Sequence, residues 1–282
     1  MIGAGTQVLA WIAVLAVEGT APGGTAVDSP NLQLASSYFQ SGGDVTAHRN
    51  VLALALKAQT LPEEGFAWGF ALGWLRLSQP GVGSPLVVSH VGNALGLGTY
   101  RFTAGRLDAD AGVGVSLGLT ASEPTPRRRV LRTALGHAIA MQGVYDVWMW
   151  APGRAGFVLP ARLHHLHPLG GWSGSARLEG AFVFTIPSSE EGESGFGRVV
   201  QAAAEYALLP RPWLAAGGRL QFVWMPGAEL WKTQWSVVPF VAGVRGRWRL
   251  SADVLVNIDE PYGFAGRGQR IWAASLRLGA WL

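Results

Sequence analysis

This chain has no cysteine, few charges and, beyond its N-terminus, no long apolar run. The first absence excludes a disulfide framework, thiolate chemistry and cysteine-based zinc sites. Charged residues are 14% of the 282, against roughly 25% in an ordinary globular chain. The formal charge of +4 comes with no basic stripe, so nothing supports a nucleic-acid partner. No interior stretch approaches the roughly 18 uninterrupted apolar residues of a helical membrane span. Yet 49% of the residues are hydrophobic, so the apolar content is dispersed rather than blocked. Dispersal by alternation is the pattern of a sheet with one face in an apolar medium. Thirteen tryptophans and 39 glycines fit such a sheet, as interfacial girdles and as turns or close strand contacts.

At the N-terminus, V-L-A-W-I-A-V-L-A-V (8–17) is too short to span a bilayer and is followed by small residues. Gly24-Thr25-Ala26 has the small-x-small pattern of a signal-peptidase site, giving an expected leader over 1–26 and a mature domain over 27–282. No Lys or Arg precedes the apolar core, a departure from the usual leader.

Strand-like runs bounded by Gly, Pro, Ser and acidic clusters fall at 31–40, 48–60, 66–77, 89–102, 107–120, 157–166, 172–187, 196–209, 213–225, 234–246, 248–258 and 270–282. The links after the even-numbered runs are short, such as L-P-E-E-G, T-A-G-R and P-R-P. Those after the odd-numbered runs are longer, reaching 121–156. Short turns at one end and long loops at the other are the habit of a bacterial outer-membrane barrel. The expected fold is therefore all-β, a transmembrane antiparallel β-barrel of about 12 strands, located in the bacterial outer membrane.

Residue parity assigns faces. Phe66, Trp68, Phe70, Val113, Val115, Leu117, Leu178 and Phe182 are expected to face lipid. The inner wall then carries Lys57, Arg177, Arg219, Arg245, Arg249 and Arg277 against Asp108, Asp110, Glu179, Glu205 and Asp253. Parity is ambiguous in the runs 89–102 and 234–246. Such a wall is either a structural ion-pair network or the lining of a solute pathway.

The link 121–156 has its own pattern. R-R-R-V-L-R-T-A-L-G-H-A-I-A-M-Q (127–142) puts Leu131, Ala134, Leu135, Ala138 and Met141 on one helical stripe. A link this long without structure is unusual, and such links are often lids. It is expected to be a helical lid or plug, with Arg128, Arg129, Arg132, Leu135, Trp148 and Trp150 as candidate constriction residues; the alternative is a helix resting on the rim.

The run V-G-N-A-L-G-L-G-T-Y-R-F (91–102), with V-G-V-S-L-G-L-T-A after it, resembles the outer-membrane barrel transporters of the phenol-degradation meta-pathway type. The resemblance spans roughly 85–210. It implies passage of small, often hydrophobic, compounds and carries over no catalytic residue. The expectation is a channel or transporter for passive passage of a small solute, without cofactor. Its partners would be outer-membrane lipid, the solute and the barrel-assembly machinery. The alternatives are a structural or surface-display barrel with a blocked lumen, or an outer-membrane hydrolase. A hydrolase needs a nucleophile beside a base; Ser89 adjoins His90, but no acid follows at readable spacing. His165 and His167 share a strand face, and two ligands at a turn make a weak metal site, so none is expected.

Overall fold

The computed structural model describes residues 25–42, 49–79, 86–119, 155–186, 197–226, 233–259 and 270–282. Among them there is no helix, and every element is a strand of one sheet. The strands are β1 (Leu32–Gly42), β2 (Arg49–Gln59), β3 (Gly65–Gln79), β4 (Leu86–Val91), β5 (Ala94–Ala104), β6 (Leu107–Leu117) and β7 (Ala155–Leu169). They continue as β8 (Trp172–Ile186), β9 (Gly197–Arg211), β10 (Leu214–Trp224), β11 (Thr233–Arg245), β12 (Trp248–Asn257) and β13 (Arg270–Ala280). All pairings are antiparallel, and β1 bonds to both β2 and β13, which closes the sheet. β4 and β5 both pair with β3 and occupy one barrel position, so the barrel has twelve staves. Closure leaves no free edge, the arrangement that lets a sheet cross lipid.

Each expected run has its strand, and no boundary moves by more than three residues. Expected as one strand, 89–102 breaks at Gly92-Asn93, where Gly92 N donates to Gly73 O at 2.8 Å. The break reverses parity. Val88 and His90 point inward before it, and Leu95, Leu97 and Thr99 after it. A two-residue irregularity thus explains why no single alternation fits that run.

The short links turn in two residues where glycine permits. Gly105, Gly170 and Gly246 have φ of 64°, 62° and 57°, a left-handed backbone that costs a side-chain-bearing residue far more. All these turns lie at the end that also holds residues 25–31 and the C-terminal Leu282, hereafter the short-link end. The link 121–156, with its expected helix and constriction residues Arg128, Arg129, Arg132, Leu135, Trp148 and Trp150, falls almost entirely outside the described residues, as does most of the expected leader.

Outward positions are apolar. Phe66 is 70% exposed, Trp68 58%, Leu117 58% and Leu178 57%, far more contiguous apolar surface than water tolerates. Aromatics bracket this band, with Trp172 and Trp248 at the short-link end and Trp224, Trp235 and Trp272 at the other. Phe222 packs on Trp235 with ring centroids 4.6 Å apart, and Tyr38 on Trp272 at 6.1 Å. Two aromatic belts around an apolar band are what a lipid-embedded barrel requires.

Candidate functional site

The inward face is layered along the barrel axis. Toward the long-link end, Phe39, Leu75, Val158, Val183, Val223 and Leu255 belong to one buried apolar cluster. Below it lies a charged belt. Lys57, Asp110, Arg177, Glu179, Glu205, Arg219, Arg249, Asp253 and Arg277 line a lumen cavity of about 310 Å³. Asp108 is on the same face of β6, two residues nearer the short-link end, and does not line that cavity. Arg245 is exposed and outward, against expectation. On β11 the inward series is Val238, Phe240, Ala242 and Val244, so an odd-numbered residue cannot join it.

Strand register arranges the belt. On β5 to β8, Arg101 pairs with Asp110, Asp110 with Arg162 and Arg162 with Glu179. On β8 to β10, Arg177 pairs with Glu205 and Glu205 with Arg219. Charge alternates between directly opposed residues, the most favourable cross-strand arrangement. The contacts follow. Asp110 accepts from Arg101 Nε at 2.9 Å and Arg162 Nε at 2.7 Å. Glu205 Oε2 accepts from Arg219 Nε at 2.9 Å and Nη2 at 2.6 Å. Arg177 Nη1 lies 3.6 Å from Glu179 and 3.7 Å from Glu205. Arg277 Nη1 meets Asp253 Oδ2 at 2.5 Å. Facing this arc, β1 to β3 contribute Ala35, Ser37, Ala53, Ala55, Gly69 and Ala71 to the cavity wall. The ion pairs thus lie on one side of the cavity, while the wall from β1 to β3 is mostly small, with Gln33, Lys57 and Gln59 among its larger members.

Sequence reasoning missed two members of the ladder. Arg162 was legible, since Val158, Pro160, Arg162 and His164 alternate inward along β7; Arg101 follows the parity break and was not.

It also missed a strap across the short-link mouth. Residues 25–30 enter the lumen, with Ala26 and Val27 0% and 2% exposed against Ala207, Leu209, Ala215, Ala242 and Val244. Arg177 Nη2 donates to Val27 O at 2.6 Å, Arg249 Nε to Ala26 O at 2.9 Å, and Ala26 N to Pro212 O at 2.9 Å. Pro30 lies on Gly279, where a Cβ would overlap it. Asn31 fastens the base: its Nδ2 donates to Gln59 O at 3.2 Å, and Gln59 N donates to Asn31 O at 2.7 Å.

Ser89 faces out and His90 in, so these neighbours cannot act as a nucleophile–base pair. His164 Nε2 and Ser175 Oγ are 2.9 Å apart, but Asp108 lies 3.9 Å from Nδ1, beyond hydrogen-bond length, and Ser175 is 1% exposed. These contacts describe an interior polar network. His165 and His167 stack on the outer face with centroids 5.6 Å apart. Among the described residues no group of three His, Cys, Asp or Glu is placed to hold a metal.

No family model matches the sequence and no curated protein is similar to it. Solved structures are similar in fold. The COG4313 outer membrane channel from Pseudomonas putida F1 superposes with a TM-score of 0.58 at 14% identity, over 92% of this chain and 98% of that one. The NanC porin gives 0.51 at 5% identity, over 89% of this chain and all of the other. The transport unit of the autotransporter AIDA-I from Escherichia coli gives 0.52 at 10% identity, over 99% and 98%. Channels, porins and an autotransporter share this architecture across almost their whole lengths: the chain has the fold of the outer-membrane β-barrels.

Proposed function

We propose that this chain is an outer-membrane channel for passive passage of a small solute with an apolar body and a polar end. The observation that carries the reading is the lumen's layering: an uncharged zone, where the apolar cluster is interleaved with Gln201, Gln234, Ser236 and Asn257, lies above an ionic belt around a cavity of about 310 Å³. A solute with both characters meets a favourable surface at each level, and the volume suits a small organic molecule. The resemblance of 91–102 to barrels of the phenol-degradation meta-pathway type supports the same solute class. In this reading the short-link end faces the periplasm, the long links face outside, and assembly machinery inserts the barrel. No cofactor takes part.

The strap favours a second reading, a barrel whose lumen is closed. Single-channel recording of the refolded full chain decides between them. Discrete conductance steps are expected from a channel. Persistent electrical silence with correctly folded protein would establish the closed barrel instead.

A further inference from the structure

We propose that Arg177 and Arg249 form a carboxylate-binding subsite of the lumen, which the strap occupies until an anionic solute displaces it. The solute role of this subsite rests on the channel reading above.

The strap imitates an amphipathic carboxylate. Two successive peptide oxygens, on Ala26 and Val27, accept from two guanidinium groups at 2.9 and 2.6 Å. Next to those oxygens, two small aliphatic side chains fill an apolar cup of Ala207, Leu209, Ala215, Ala242 and Val244, rimmed by Trp213 and Phe240. A carboxylate with a compact apolar body offers one oxygen to each guanidinium and its body to the same cup; the Ala26 N–Pro212 O bond alone has no counterpart in it.

A carboxylate would also hold the two guanidinium groups more strongly. The guanidinium already makes the strap's bonds charge-assisted, and a carboxylate adds the Coulomb attraction of a second, opposite charge that a neutral carbonyl lacks. Both arginines have charge to offer. Arg249 reaches the Ala26 carbonyl and Ser251 Oγ, and no carboxylate among the described residues lies within ion-pair distance of it. Arg177 is 3.6 and 3.7 Å from its acids, whereas Arg219 takes Glu205 Oε2 at 2.6 Å. The belt therefore gives Arg219 a hydrogen-bonded carboxylate and Arg177 two acids at looser ion-pair distance, with the strap carbonyl as its shortest contact, and leaves Arg249 to neutral acceptors.

The strap is built to leave. Its tip closes on itself, Asp28 N donating to Thr25 O at 3.0 Å and Thr25 N to Asp28 Oδ2 at 2.5 Å. Among the described residues the tip is bonded to the wall at three places: the two arginines and Pro212 O. The Asn31–Gln59 bonds lie behind it and survive its release. The proposal requires Ala26 in the mature chain, so any leader removal must occur upstream of Thr25.

The test uses the full mature chain in lipid vesicles. With no native cysteine, Ser29→Cys gives a unique nitroxide position on the strap. Sodium benzoate is titrated against benzyl alcohol and against sodium chloride at equal ionic strength. Benzoate is expected to mobilise the label saturably, and neither control should. Arg249→Lys should weaken the benzoate response about tenfold, because it loses a directed charge-assisted bond. Arg249→Gln should be mobile from the outset and unresponsive. If the arginine variants do not fold, the three-ligand titration of the Ser29→Cys chain decides alone. An immobile label at saturating benzoate, equal mobilisation by benzyl alcohol, or a mature N-terminus at Val27 on sequencing each overturns the proposal. Conductance is recorded in parallel. Channel steps with an unresponsive strap remove the subsite and keep the channel; silence with a responsive strap does the reverse.

Discussion

Replacing Leu178 with arginine tests the inside–outside assignment where it matters most. Leu178 lies on the outer face of β8, six residues along the strand from Trp172 in the short-link aromatic belt. At about 3.3 Å per residue and a strand tilt of about 40°, that is ~15 Å along the axis. The apolar band of such barrels is about 25 Å tall, so Leu178 sits near its middle. An arginine there should cost about 2–4 kcal/mol, or roughly 30- to 700-fold in the folding equilibrium. The neighbouring residue, Arg177, holds the same side chain in the lumen without that penalty. Thr99→Arg is the matched control, on the cavity wall, and should cost no more than about 1 kcal/mol. Urea titration of folding into vesicles, followed by tryptophan fluorescence, reads both variants. Equal losses, or no loss from Leu178→Arg, would refute the facing of β8.

Two further outcomes are expected. Epitope tags inserted in the links 188–195 or 259–269 should be labelled on intact cells, and a tag within 61–65 should not; surface labelling of the last would invert the orientation. Glu205→Gln leaves Arg177 and Arg219 without their shared carboxylate, costing about 1–3 kcal/mol, and should shift the reversal potential toward anion selectivity in a salt gradient. An unchanged potential would mean that the belt does not touch the conducting path.

Strand positions were legible because period-two alternation is a local property, written into each run by its own residues. Facing was legible wherever polar and apolar residues truly alternate, as in V-G-V-S-L of β6. It failed on β11, where V-V-P-F-V-A-G-V shows no polar series and Arg245 could be given to either side. It also failed across Gly92-Asn93, where a break in hydrogen bonding shifts the phase without any strong compositional mark. The charge ladder was beyond reach for a different reason. Opposing Arg177 to Glu205 requires the stagger between strands, a global quantity of the closed barrel. The strap was hidden by its setting, since small residues after an apolar segment read first as a cleavage site.

The ladder bears on how the barrel closes correctly. Slipping one strand past its neighbour by a single residue turns lipid-facing side chains into the lumen, and the hydrophobic pattern forbids it. A slip of two residues preserves every inside and outside, so that pattern is blind to it. The charges are not. Glu179 now faces Ala203 across β8 and β9; moved two places, it would face Glu205, while Arg177 would lose its opposite carboxylate. The analogous slip of β6 past β7 sets Asp110 against His164 instead of Arg162. Hydrophobic alternation therefore acts as the coarse scale of a vernier and the alternating ions as the fine one, together leaving one alignment of these staves.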